Sequence, residues 1–182
     1  MRRTRALVVF CGLALALLSA GTSKGEDRPA PAAPAAPRLA AGWEPLAFLV
    51  GEWEGTGSGA PGASKGSFSF DPQVQGNGLL RRSANDSPSG HHEDLMLVWR
   101  NPDGAFRAAY VDNERHVIQY TVTATAEPKG AVFLSDETAG MPRFRLTYKM
   151  RPDGTVSITF ELAPPGSAEL KTYTEGVAKR RR

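Results

Sequence analysis

Cysteine is almost missing from this chain of 182 residues, which contains only Cys11. Cys11 lies inside an apolar segment near the N-terminus, and a chain that has lost this segment has no thiol at all. Disulfide bonds, a thiolate nucleophile and thiolate metal ligands are then excluded. The domain must therefore be stabilised by packing.

The sequence also lacks the short motifs that indicate common catalytic sites. It has no serine nucleophile elbow, no zincin helix and no phosphate-binding loop. Its paired acids, such as Glu93/Asp94 and Asp112/Glu114, fall at turns or strand ends, where acids commonly cap backbone N–H groups. No residue stands out as catalytic, and the sequence favours a protein that is not an enzyme.

The first twenty residues have the composition of a secretory signal peptide. Three arginines precede an uncharged apolar segment, residues 6–20, and Ser19-Ala20-Gly21 supplies small residues for cleavage. The segment is short for a membrane span. We expect residues 1–20 to be a removed signal peptide, with an uncleaved anchor as the alternative, and no stable membrane span after cleavage. The predicted location is secreted or periplasmic, in the cell envelope.

Two further segments are predicted to flank a single domain, residues 38–179. Residues 21–37 become rich in proline and alanine, a composition that indicates an extended, disordered linker. Residues 180–182 are all arginine and are expected to form a basic, disordered tail.

The net charge argues against a nucleic-acid partner. The whole chain has 22 basic and 19 acidic residues, and three of the basic residues belong to the predicted signal peptide. Their removal leaves a nearly neutral chain, whereas nucleic-acid-binding domains usually carry a basic face.

Alternating apolar and polar residues run through most of residues 38–179. The clearest case is 156–162, where every second residue is apolar, and turn signals stand at Asn101–Gly104 and Arg151–Gly154. About ten short strands without helical periods predict an all-β fold, a single antiparallel up-and-down β-barrel. Closure would remove exposed sheet edges, and a two-sheet sandwich is the alternative. A short N-terminal helix is expected over residues 43–50.

The stretch 46–59 joins an apolar turn, Gly51, Trp53 and three alternating glycines. Trp53 should be mostly buried, and glycines in a strand usually mark a bend or a close backbone approach. Gly51-Glu52-Trp53 resembles the G-x-W opening of lipocalin and calycin barrels. With the segments 144–148 and 173–176, the chain is similar to a family of secreted bacterial lipocalin-like proteins of unknown function.

This resemblance implies structural roles for a few residues at the barrel end. In calycins the tryptophan is typically covered by an arginine or lysine of the last strand. The implied partner of Trp53 is Lys179 or Arg180. Gly51, the first residue of the G-x-W motif, is likewise expected to have a structural role.

Candidate ligand contacts come from polar residues in the middle of predicted strands. Tyrosines in phase with apolar neighbours should point into the barrel, and arginine can orient a polar head group. The predicted contacts are Tyr110, Tyr120, Tyr148, Arg81 and Arg107. In the alternative, the tyrosines pair with local backbone groups and the arginines lie on the outer face.

Metal and haem sites are not predicted. His91-His92-Glu93-Asp94 has suitable ligand types, but neighbours on a strand face opposite ways. No histidine follows His116, whereas some barrels with a similar opening bind haem through a histidine near the C-terminus. We therefore expect no cofactor and no metal.

The leading functional hypothesis is binding of a small apolar or amphipathic molecule within the barrel. The alternative is a structural module of the cell envelope that interacts with another protein.

Overall fold

The computed structural model describes residues 38–181. The predicted signal peptide, the linker over 21–37 and the last residue of the basic tail lie outside this range. No helix within the described range is both long and apolar enough to cross a membrane.

Ten antiparallel strands form a closed barrel, which confirms the predicted all-β up-and-down fold. Each strand pairs with its neighbours in the sequence, and the first strand pairs with the last. No open sheet edge remains, so the sandwich alternative is excluded. The strands are β1 (Gly51–Gly59), β2 (Ser64–Gln73), β3 (Gly78–Ser87), β4 (Gly90–Arg100), β5 (Phe106–Asp112), β6 (Val117–Thr125), β7 (Gly130–Ser135), β8 (Arg143–Met150), β9 (Val156–Ala163) and β10 (Lys171–Arg180).

The expected N-terminal helix is a 3₁₀ helix, Glu44–Leu49, and no α-helix occurs within residues 38–181. Pro45 suits its first turn because the N–H that proline lacks has no partner there. Leu46 and Leu49 are fully buried, and the 3₁₀ helix packs against β6 and β7. It therefore covers the barrel end at which the odd-numbered strands begin, here called the closed end.

Glycines bring the two ends of the sheet together. Gly55 lies opposite Gly66 of β2, and Gly57 lies opposite Gly176 of β10. A Cβ atom on Gly55 would lie 2.6 Å from the carbonyl oxygen of Val177. The predicted close backbone approach is thus present where β1 meets β10.

Large side chains fill the closed half of the barrel. Trp53 and Phe68 are stacked with centroids 6.0 Å apart, and Phe70, Phe133 and Tyr148 pack edge to face beside them. All five are buried. Interior side chains of this size leave no channel through the closed end.

Candidate ligand-binding cavity

The open half of the barrel contains a cavity of about 730 Å³. Its mouth lies between the β1–β2, β3–β4 and β5–β6 turns, at the end opposite the 3₁₀ helix. The fold thus combines a packed half, which stabilises the barrel, with a hollow half that faces solvent.

One wall of the cavity is apolar and belongs to β8 and β9. Phe144 and Phe160 stack with their ring centroids 5.8 Å apart, and Tyr173 contacts Phe160 edge to face at 6.2 Å. Leu146 and Ile158 complete this surface. The wall follows from period-two alternation, which sends every second residue of each strand into the barrel.

The wall on the other side is polar and belongs to β3, β4 and β5. β4 stands five places from β9 around the ring of ten strands, so the polar and apolar walls face each other. Arg81 of β3 donates a hydrogen bond to Asp94 of β4, and both side chains are buried. A buried pair of this kind satisfies charges that would otherwise be costly to bury.

A chain of polar contacts leads from the Arg81–Asp94 pair to the mouth. His92 Nε2 lies 3.6 Å from Asp94 Oδ2 and 3.0 Å from the Tyr110 hydroxyl. Tyr110 donates to Asp112 Oδ2 at 3.1 Å, and the same oxygen lies 2.7 Å from His116 Nδ1. The interior polar groups therefore form one connected network that ends at the solvent.

These surroundings change the protonation of His92 and Tyr110. The Asp94 carboxylate raises the pKa of His92, as does Glu114, whose Oε1 lies 3.2 Å from His92 Nδ1. Burial raises the pKa of Tyr110, and the carboxylates of Asp94 and Asp112 raise it further. Tyr110 is a neutral donor at physiological pH, and His92 takes up a proton more readily than a free imidazole.

Three of the five predicted ligand contacts line the cavity: Arg81, Tyr110 and Tyr120. Tyr148 is fully buried among Phe68, Phe70 and Phe133, in the layer beneath the cavity floor. Its side chain points inward, as its phase suggested, but the cavity does not extend to that depth.

Arg107 does not line the cavity, contrary to expectation. It alternates with Phe106 and Ala108, which face inward, so its side chain lies on the outer surface. There it donates to Thr121 Oγ1 at 2.6 Å and to Asp136. A central position in a strand gave no information about which face Arg107 occupies.

The structural residues of the closed end have distinct contacts. The Arg180 guanidinium lies over Trp53, 4.4 Å from the ring centroid, whereas Lys179 faces Glu54 at 3.1 Å. Trp53 donates its indole N–H to the Leu49 carbonyl at 2.8 Å. β10 extends through Arg180, so the barrel continues one residue beyond the predicted domain end.

Sequence reasoning missed several residues that line the cavity. His92 and Asp94 alternate in phase with Met96 and Val98, which are fully buried, and this phase places both polar residues on the inner face. The same alternation on β8 and β9 indicates that Phe144 and Phe160 also face inward. The signal for Asp112 is weaker, because it ends β5 and its position depends on the turn that follows.

Residues 38–181 contain no group of three or more histidine, aspartate and glutamate side chains placed to hold a metal ion. His91 instead contacts the carboxylates of Asp86, at 2.7 Å, and Glu93, at 3.3 Å.

Comparisons with known proteins support the fold. No protein-family model matches the chain, and no curated protein matches it. The crystal structure of Rv2717c from M. tuberculosis superposes with a TM-score of 0.59 at 16% identity, covering 79% of this chain and 99% of that one. The closed ten-strand barrel and this neighbour fit a lipocalin- or calycin-like fold.

Two further solved structures superpose less well. A de novo designed fluorescence-activating β-barrel has a TM-score of 0.41 at 13% identity, and EF1p2_mFAP2b bound to DFHBI has 0.41 at 10%. Each superposition covers 74% of this chain and 94% of the other chain.

Proposed function

We propose that this protein binds a small, partly apolar molecule inside its barrel. The observation that carries the proposal is the cavity of about 730 Å³, which has an aromatic wall on one side and a polar wall on the other. Ligand sites typically enclose roughly 300–1,000 Å³ and combine a mostly apolar lining with a few polar groups.

The arrangement of the interior supports binding over a purely structural role. A barrel that serves only as a scaffold gains stability by filling its interior, because empty space forfeits packing interactions. Here the closed half is filled by large side chains, while Phe144, Phe160 and Ile158 remain only partly buried around the cavity. A ligand would cover these apolar surfaces.

We also propose that the protein acts outside the cytoplasm, as a secreted or periplasmic member of the lipocalin-like group that the sequence resembles. The support is the composition of residues 1–20 and of the linker after them. The mass of the protein isolated from its host tests the location: loss of about the first twenty residues is expected, and an intact N-terminus would contradict it.

Native mass spectrometry of the protein purified from its own host tests the binding. We expect a retained small molecule that is released on unfolding. Ile158→Trp would fill the cavity from β9 and should abolish the adduct. Thr159→Trp is the matched control, because Thr159 faces the opposite side of the same strand. An apo mass for the wild type, or an adduct that survives in Ile158→Trp, would contradict the proposal.

A second candidate function, a module that interacts with another protein of the envelope, is favoured by one surface feature. Leu95 lies opposite Val111, and Val111 lies opposite Val117, so these exposed side chains form an apolar band across β4, β5 and β6. An open depression of about 590 Å³ on the outer surface includes Leu95 and Val111.

Site-specific photocrosslinking in the host tests this second function. A crosslinking residue at Val111 should give one discrete adduct if the band contacts a partner. The same residue at Thr159, on the other side of the barrel, serves as the control. Equal, diffuse crosslinking at both positions would remove the candidate.

A further inference from the structure

The polar groups at the cavity floor restrict the class of ligand. We infer that the ligand is a neutral molecule with an apolar, flat body and a carbonyl-type oxygen that accepts a hydrogen bond from Tyr120. This inference rests on the proposed binding function and adds the chemistry that the cavity selects.

Tyr120 supplies an unused donor at the floor. Its side chain lines the cavity and is only 1% exposed, and Tyr110 and Phe133 pack edge to face against its ring at 6.4 and 6.3 Å. Within residues 38–181 its hydroxyl has no hydrogen-bond partner. Burial raises the pKa of Tyr120, so the hydroxyl keeps its proton. A buried tyrosine hydroxyl usually has a partner, and an acceptor atom on the ligand would supply it.

The positive charge beside Tyr120 is already compensated. Arg81 and Asp94 are buried at 8% and 7% exposure, and they form a direct hydrogen-bonded pair. A carboxylate ligand would place a second buried anion beside a single buried cation and would leave one negative charge uncompensated. Unpaired buried charges are strongly unfavourable, so the floor selects against an anionic head group.

The cavity lining further disfavours anions. Three carboxylates face it, those of Asp94, Asp112 and Glu114, against the single guanidinium of Arg81. Histidines at the mouth, such as His92, add positive charge only when they are protonated. With the histidines neutral, the lining is negative and repels a negatively charged ligand at the mouth.

The apolar wall indicates the shape of the remaining part of the ligand. The stacked rings of Phe144 and Phe160 present a surface of aromatic carbon, extended by Ile158. A flat aromatic body can pack against this wall while its oxygen atom reaches Tyr120 on β6.

Three naphthalenes of nearly equal size test the acceptor and the charge separately: 2-acetylnaphthalene has a neutral acceptor, 2-ethylnaphthalene has none, and 2-naphthoate is an anion. Equilibrium dialysis at pH 8, where most histidines are neutral, would measure the Kd of each for the wild type, Tyr120→Phe and Tyr148→Phe. Tyr148→Phe is the matched control, because it also removes one interior tyrosine hydroxyl but lies beneath the cavity floor. Thermal unfolding would confirm that each variant is folded.

We expect Tyr120→Phe to raise the Kd of 2-acetylnaphthalene about five- to tenfold, as expected for loss of one hydrogen bond. The Kd of 2-ethylnaphthalene should stay within about twofold, because that ligand offers no acceptor. Tyr148→Phe should change neither value appreciably. 2-Naphthoate should bind the wild type at least about tenfold more weakly than 2-acetylnaphthalene.

The outcomes distinguish the two proposals. Equal effects of Tyr120→Phe on the acetyl and ethyl compounds would overturn the carbonyl contact and leave the binding function standing. Equal or tighter binding of 2-naphthoate would overturn the selection against anions. Failure of all three compounds to bind the wild type would overturn both this inference and the binding of flat apolar molecules.

Discussion

The guanidinium of Arg180 lies 4.4 Å from the ring centroid of Trp53 and thereby joins the last strand of the barrel to the first. Arg180 also donates hydrogen bonds to the carbonyl of Phe48, at 3.1 Å, and to that of Val50. These two carbonyls flank the end of the 3₁₀ helix. One side chain therefore links the 3₁₀ helix, β1 and β10 at the closed end.

Replacing Arg180 should destabilise the barrel more than replacing its neighbour. Arg180→Ala removes a cation–π contact and two hydrogen bonds to carbonyls, and we expect it to lower the free energy of unfolding by about 1–3 kcal/mol. Lys179→Ala removes only a surface ion pair with Glu54 and should cost less than about 1 kcal/mol. Urea denaturation measures both, and equal effects would contradict the role of Arg180.

The buried Arg81–Asp94 pair gives a second prediction. Asp94→Ala leaves the guanidinium of Arg81 buried without its counter-ion and should lower the free energy of unfolding by about 3–5 kcal/mol. The double variant Arg81→Met with Asp94→Leu removes both charges and should recover most of that loss, because apolar replacements of a buried pair are often neutral or stabilising.

Urea denaturation of the single and double variants tests the coupling between Arg81 and Asp94. If the double variant is less stable than Asp94→Ala alone, the two side chains are not a compensated pair, and the polar wall requires another explanation.

The fold could be predicted from sequence because alternation and turn signals are local. In β9, Val156, Ile158 and Phe160 all face inward, as the alternation requires. A sheet of such short strands has exposed edges, and closure into a barrel removes them. The position of Tyr148 could not be predicted in the same way. Its inward direction follows from phase, but its depth relative to the cavity depends on how the side chains of β2 and β7 fill the barrel.

The outward position of Arg107 was hard to predict for a related reason. Both faces of β5 hold polar residues, so the strand gives a weak alternation signal, and Arg107 has partners on β6 and the β7–β8 loop that only the fold brings together. In the cluster at 91–94, neighbouring residues face opposite sides of β4, as expected for a strand, and only His92 joins Asp94 in the interior network.

Protonation of His92 should stabilise the folded protein. The Asp94 carboxylate, with Glu114, raises the folded-state pKa of His92 above its unfolded value near 6.5, although partial burial opposes the shift. Its contribution is therefore fully present below pH about 6.5 and is lost as the pH rises through the folded-state pKa. The groups that face His92 are Asp94, Glu114 and the Tyr110 hydroxyl.

His92→Gln tests this dependence while keeping a polar side chain at the position. The stability difference between wild type and His92→Gln should be larger at pH 5.5 than at pH 8.5, and NMR titration should give His92 a pKa above 6.5. A difference that grows with pH would show that His92 is stabilised in its neutral form instead.

The glycines of β1 should be required for closure of the barrel. A methyl group on Gly55 would lie 2.6 Å from the Val177 carbonyl oxygen and 3.1 Å from the Cα atom of Ala178, and neither backbone atom can move without parting β1 from β10. We expect Gly55→Ala to lower the free energy of unfolding by about 1–3 kcal/mol, the usual cost of overpacking.

Gly78→Ala is the matched control, since a Cβ atom there would meet its nearest neighbour, the Val98 carbonyl oxygen, at 3.7 Å, an ordinary contact. Neither glycine has a positive φ, so alanine fits both backbones, and both substitutions reduce the freedom of the unfolded chain to a similar degree. In urea denaturation, the difference in the free energy of unfolding between Gly55→Ala and Gly78→Ala should therefore report the steric clash at Gly55 alone. Equal stability would mean that β10 can move away from β1 at little cost, and that contacts other than the glycine-mediated approach hold the barrel closed.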